Sequence, residues 1–155
     1  MGLERTEAAK GETGASFTEF ISGIAAKANL KVQVKSPDLV VVPFDMGEGR
    51  FQNTFVRPMG KTGAGHFIVS FFSPALKMPA DQGGLGQKAA NDLLRKNSQL
   101  PHGGWAIDRV DNDDYLGMID TLIAQTMDPE EFYASCLALA KIADDFEKTM
   151  GVDVF

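Results

Sequence analysis

The sequence predicts an α+β domain, one antiparallel sheet with three helices against it. Three observations predict it. Four strand-like runs with short connections follow one another over residues 31–72, the pattern of an antiparallel meander. Segments of helical period lie before them, after them and at the far end of the chain. A further hairpin separates the last two helices, so the order reads α-ββββ-α-ββ-α. At 155 residues, folding buries roughly 70% of the open chain's surface, enough for one core. Residues 16–155 are expected to form the single α+β domain, and the polar stretch 1–15, with three glycines and little to bury, a flexible N-terminal arm.

The first helix starts at Ser16, where Ser16-Phe17-Thr18-Glu19 is a capping box. Phe17, Phe20, Ile21, Ile24 and Ala28 make one stripe, and the helix is expected to end near Asn29. The strands are expected at Lys31–Lys35, Leu39–Phe44, Arg50–Arg57 and His66–Phe72. In the third, Phe51 and Phe55 share one face and Gln52, Thr54 and Val56 the other. Pro58–Gly65 reads as a glycine-rich loop and Pro74–Gly86 as an irregular connection. The second helix is expected over Leu85–Ser98 with Ala89, Ala90, Leu93 and Leu94 inward. Trp105–Val110 and Tyr115–Ala124 flank the turn Asp111-Asn112-Asp113-Asp114. The third helix has Asp128 as N-cap and Pro129 at the first helical position, where its missing N–H costs nothing. Its buried stripe is Phe132, Cys136, Leu139, Ala140, Ala143, Phe146 and Met150, and Gly151 ends it.

Composition excludes several functions. The net charge is −6, which opposes nucleic-acid binding, since phosphate must be met by a basic surface. One cysteine excludes a disulfide framework and a thiolate zinc site. No apolar run approaches the ~20 residues that span a bilayer, and no signal-peptide core is present, so the expectation is a cytoplasmic protein with no membrane partner. Met1-Gly2-Leu3-Glu4-Arg5-Thr6 matches the short N-myristoylation pattern, which alone is no reason to expect the modification. The charge is uneven. Residues 1–110 hold 13 basic and 10 acidic side chains, while residues 111–155 hold 2 and 11. That last third is either a solvated face or a surface that steers a basic partner.

The motifs that carry chemistry fail on spacing. Gly60-Lys61-Thr62 lacks the glycine five residues earlier that a phosphate loop needs, because Phe55 stands there. Gly83-Gly84-Leu85-Gly86 lacks the preceding buried strand of a dinucleotide site. His102-Gly103-Gly104 resembles a lipase oxyanion segment, but no G-x-S-x-G elbow accompanies it. His66 and His102 have no metal-ligand spacing, and Tyr115 and Leu116 break the calcium pattern begun at Asp111. Cys136 lies in an apolar stripe. Asp144 and Asp145 point about 100° apart on a helix and cannot share a proton. The expectation is therefore no enzyme, no metal and no cofactor.

Three further motifs carry a resemblance. They are Gly49-Arg50-Phe51-Gln52 in the third strand, the passage Leu93-Leu94-Arg95-Lys96-Asn97 through Gly104-Trp105, and Ala143-Asp144-Asp145-Phe146-Glu147 on the last helix. In order and spacing the chain resembles the YbjN-like family within the type III secretion chaperone-like fold, over about residues 16–150. The resemblance implies a non-enzymatic protein-interaction module, regulatory or chaperone-like, acting as a homodimer on a protein partner held against its sheet and helices. No catalytic residue comes with it. Arg50, Gln52 and Asn97, the polar residues inside the motifs, are the candidate partner-binding side chains. Two other readings stay open: a dedicated type III secretion chaperone for one effector, and a small-ligand-binding domain with a closed pocket around His66, His102 and Trp105.

Overall fold

The computed structural model describes residues 16–79 and 83–150. The expected N-terminal arm, the lipidation pattern and the Gly151 cap lie outside the described residues. Within them the chain runs α1 (Phe17–Lys27), β1 (Gln33–Ser36), β2 (Leu39–Gly47), β3 (Arg50–Lys61), β4 (Phe67–Lys77), α2 (Gln87–Asn97), β5 (Gly104–Val110), β6 (Asp113–Ile123) and α3 (Pro129–Met150). The six strands form one antiparallel sheet in the order β1-β2-β3-β4-β6-β5. The chain leaves β4, passes through α2 to the sheet edge as β5, then returns inward as β6. No described helix is long and apolar enough to cross a membrane.

Helix starts behave as their sequences require. Ser16 Oγ accepts from the Glu19 amide at 3.3 Å. At α3 the Glu131 amide donates to Asp128 Oδ1 at 2.7 Å, and the Asp128 amide donates to Glu131 Oε2 at 3.1 Å. Two orphan donors are thus satisfied reciprocally.

Three strands run well past their expected ends, β2 to Gly47 and two more whose extensions carry a proline. β3 continues through Pro58 to Lys61, and β4 through Pro74 to Lys77. Proline removes a ladder donor, and each strand absorbs that with a bulge, between Pro58 and Lys61 and between Pro74 and Leu76. The start of the expected irregular connection after Phe72 is therefore sheet. The turn after β5 is also tighter than expected, with only residues 111–112 between the strands and Asp111 at φ 56°.

The main core lies between the sheet and the pair α1 and α3. Phe17, Ile21, Ala25, Val40, Val42, Val56, Phe71, Phe132, Cys136 and Leu139 are buried there, with Phe71 and Phe132 edge to face at 5.7 Å. Thr54 Oγ1 donates to the Cys136 carbonyl at 2.9 Å, tying β3 to the middle of α3.

The opposite face carries no described helix, yet it buries Val41, Phe55 and Phe72, with Leu39, Val110, Tyr115 and Ile119 packed around them. The sheet curls toward this side. Arg57 on β3 reaches Asp108 on β5 at 2.8 Å, across a separation of about 14 Å in a flat sheet. Phe72 fits only because Gly117 has no side chain, since a Cβ there meets the Phe72 ring and the Ser73 carbonyl.

Candidate partner-binding site

The three candidate residues have partners within the chain. Arg50 opens β3 facing α3. Its Nε donates to Asp144 Oδ1 at 2.9 Å and its Nη2 lies 3.4 Å from Glu147 Oε2. Asp144 and Glu147 stand three apart on one helix face, both essentially buried, while Asp145 between them is exposed. Lys148 Nζ adds a contact of 3.4 Å to Asp144. Burying two carboxylates is costly, and the guanidinium beside them offsets it.

Gln52, two residues on, is buried rather than placed on a solvent face. Its Nε2 donates to Ser73 Oγ at 2.9 Å and to the Pro74 carbonyl. Ser73 Oγ in turn donates to the Asn53 carbonyl at 2.7 Å. Gln52 thereby bridges the bulge in β4. Its Oε1 has no hydrogen-bond partner among the described residues.

Asn97 ends α2 against the edge of the sheet. Its Oδ1 accepts from the Trp105 amide at 2.6 Å, and its Nδ2 donates to the Trp105 carbonyl at 3.2 Å. A Cβ on Gly104 presses on the Asn97 carboxamide at 3.2 Å. The sequence motifs thus describe contacts of the fold. The R-x-Q motif of β3 meets the A-D-x-x-E motif of α3, and the Asn of the helix-to-strand passage holds the strand that follows it.

A Ser/His/Asp group also appears, without a sequence signature. Ser135 Oγ lies 3.2 Å from His102 Nε2 and 3.2 Å from Asp120 Oδ2, and the latter two atoms are 3.5 Å apart. Ser135 and Asp120 both meet His102 at the same imidazole nitrogen, so His102 cannot relay a proton from Ser135 to Asp120 through its ring. Ser135 is fully buried inside α3. The cluster fastens the loop before β5 to α3 and β6. Gly103 completes that fastening at φ 64°, because a Cβ there runs into the Ile119 carbonyl and the Leu139 side chain.

His66 lies exposed beyond β3, in the turn that leads into β4, and is not brought to His102 or Trp105. No closed pocket joins the three among the described cavities. Burial pushes the Cys136 thiol far above its ordinary pKa, which keeps it protonated. Among the described residues, no three His, Cys, Asp or Glu side chains are placed to hold a metal. Part of the acidic last third is engaged internally: Asp113 with Lys77, Asp114 with Arg109, Asp120 with His102, and Asp144 and Glu147 with Arg50.

Exposed apolar residues are spread over the described surface, Val34, Phe51, Met59, Ile123 and Tyr133 among them, and two, Leu94 and Ile107, face one groove between α2 and β5. α2 buries no residue fully. Ala89, expected inward, is exposed, and Leu94 keeps 65% of its surface. The reason is position: α2 packs on the edge strand, where only half a groove exists to receive it. Between helix and strand runs an open groove of about 230 Å³. Leu93, Leu94, Trp105, Ile107 and Leu116 line it, and its walls are almost entirely carbon. Ile107 is 47% exposed.

The edge of β5 beside this groove is partly closed. Asn97 shows that the Trp105 amide and carbonyl point outward, so by the two-residue period those of Ile107 and Arg109 do too. The Arg109 amide donates to Asp108 Oδ1 at 2.8 Å, and its carbonyl accepts from Arg57 at 3.1 Å. Side chains therefore satisfy the outward positions on either side of Ile107, an arrangement that discourages strand addition.

Compared with known proteins, the chain matches no family model and no curated protein.

Proposed function

We propose that the chain is a non-enzymatic protein-interaction module, chaperone-like or regulatory, that takes a protein partner at the groove between α2 and β5. The observation that carries this reading is the groove itself. A strongly amphipathic helix leaves Leu94 largely exposed, beside Ile107 on an edge strand. Exposed apolar residues that converge in this way mark interaction surfaces more than scattered ones do. Element order and motif spacing support the YbjN-like, type III secretion chaperone-like assignment and, with it, a homodimer in the cytoplasm. Arg50, Gln52 and Asn97 act in this reading by shaping the domain, with Asn97 alone standing at the groove.

The test is cross-linking in an extract of the native host, comparing wild type with the Leu94→Glu, Ile107→Glu double variant. A partner captured by wild type and lost from the folded variant supports the proposal. An identical captured set, or none in either case, overturns it. Light scattering on the purified chain tests the dimer, which a strict monomer removes.

A further inference from the structure

α3 runs along β5 toward the groove. Leu139 stands level with Gly103, where an added Cβ would meet its side chain at 2.7 Å. Phe146 stands level with Trp105, their ring centroids 5.0 Å apart. Helix and strand therefore advance in the same direction. Four more helical residues rise about 6 Å to Met150, and two more strand residues rise about 7 Å to Ile107. α2 packs on the edge strand and α3 on the inner strands, so α3 delivers the chain beside the groove that Trp105, Ile107 and Leu116 line. The residues that follow are Gly151-Val152-Asp153-Val154-Phe155. Extended, five residues reach about 17 Å, further than the strand length between Trp105 and Ile107.

We infer that residues 151–155 occupy the groove between α2 and β5, and that an outside partner must displace them. Displacement rests on the reading of the groove as the partner site; occupancy does not. The segment matches the groove in three ways. Gly151 is the residue type that turns a chain at a helix end. Val152, Val154 and Phe155 are apolar, and the groove walls are almost entirely carbon, with Leu94 largely exposed. Asp153 is acidic, and α2 carries Lys88, Arg95 and Lys96 against Asp92 alone. Attachment to α3 also holds the segment at a high effective concentration, so docking that would be weak between separate molecules is favoured within one. A segment that fills the groove nine-tenths of the time lowers a partner's apparent affinity about tenfold.

The first test is disulfide trapping in the full chain with oxidised glutathione. The Leu94→Cys, Val154→Cys variant is expected to close an intramolecular bond. The control is Tyr133→Cys, Val154→Cys, since Tyr133 is exposed near the other end of α3, and it is expected not to close. Equal closure in both, or a bond formed only between two molecules, overturns the inference; the latter assigns the groove to a second copy. Nuclear Overhauser contacts from the Phe155 ring to the Leu93 or Leu94 methyls of the unaltered chain give a second measurement should the cysteine variant fail to fold. Their absence, or contacts of those methyls with another segment instead, overturns it. Trp105 is the single tryptophan. Its emission should move to longer wavelength in the Val154→Ser, Phe155→Ser variant, and unchanged emission counts as refutation. In the host cross-linking experiment the same serine variant should capture about tenfold more partner. Unchanged capture beside a trapped disulfide overturns the displacement alone. No captured partner in either chain overturns the reading of the groove as a partner site, and the competition with it, while the trapped bond still establishes occupancy.

Discussion

α3 and α2 are both amphipathic helices on the same sheet, and they are held by different means. α3 lies across several strands, with Phe132, Cys136, Leu139, Ala140 and Ala143 buried and the Arg50 pairs closing its far end. α2 lies chiefly against the edge strand β5 and is tied to it by the Asn97 carboxamide. A helix over the middle of a sheet buries its stripe between neighbours, whereas a helix at an edge has strand on one side and water on the other. The first kind maintains the fold. The second is available for exchange at low cost, as binding elements must be.

The sharpest way to break this contrast is Arg50→Ala. It leaves Asp144 and Glu147 of α3 buried against the sheet without that guanidinium, and should cost about 3–5 kcal/mol. The midpoint of urea unfolding reads it, and a loss under 1 kcal/mol refutes the buried ion pairs as holders of α3. The next effect compares one residue from each helix. Leu139→Ala should cost about 3 kcal/mol through a core cavity, while Leu94→Ala should stay within about 0.5 kcal/mol. Equal costs end the distinction.

Thiol labelling offers a further contrast. Cys136 should resist a disulfide reagent at pH 8 until the whole domain opens, while amides of α2 exchange through local opening. Labelling as fast as α2 exchange places α3 among the mobile elements. The smallest effect is in acid. Lys88 beside Asp92 holds that carboxyl below its ordinary pKa. The support Asp92 lends α2 is present above the unfolded carboxylate pKa and is lost as pH falls through the lowered folded value. Both groups are exposed, so the change is confined to α2 helicity, and Asp92→Asn should flatten it. An unchanged acid dependence in that variant removes the pair from the account.

Local rules made much of the fold legible. The caps at Ser16 and Asp128, the alternation that splits Phe55 from Thr54 and Val56, and the stripe of α3 are short-range patterns, and each recurs in the structure. Proline misled where it stood alone: Pro58 and Pro74 end strands in a local reading, but a bulge lets the sheet keep them. α2 misled for the converse reason. Its stripe has the right period, and period says nothing about whether a surface waits to cover it.

The candidate site was legible only as residue types. Arg50, Gln52 and Asn97 stood out as polar positions inside motifs, and their spacing held no sign that two of them face α3 and one faces an edge strand. Ser135, His102 and Asp120 carried no signal, being far apart in sequence and brought together only by folding. The sequence by itself determined the α+β class, the helix starts and the strand faces, because capping and periodicity act over a few residues. Tertiary structure alone decided that β5 is the edge, that the sheet curls over Phe72, and that Asn97 closes part of that edge. Those depend on which distant strands pair, and pairing is settled by burial across the whole chain.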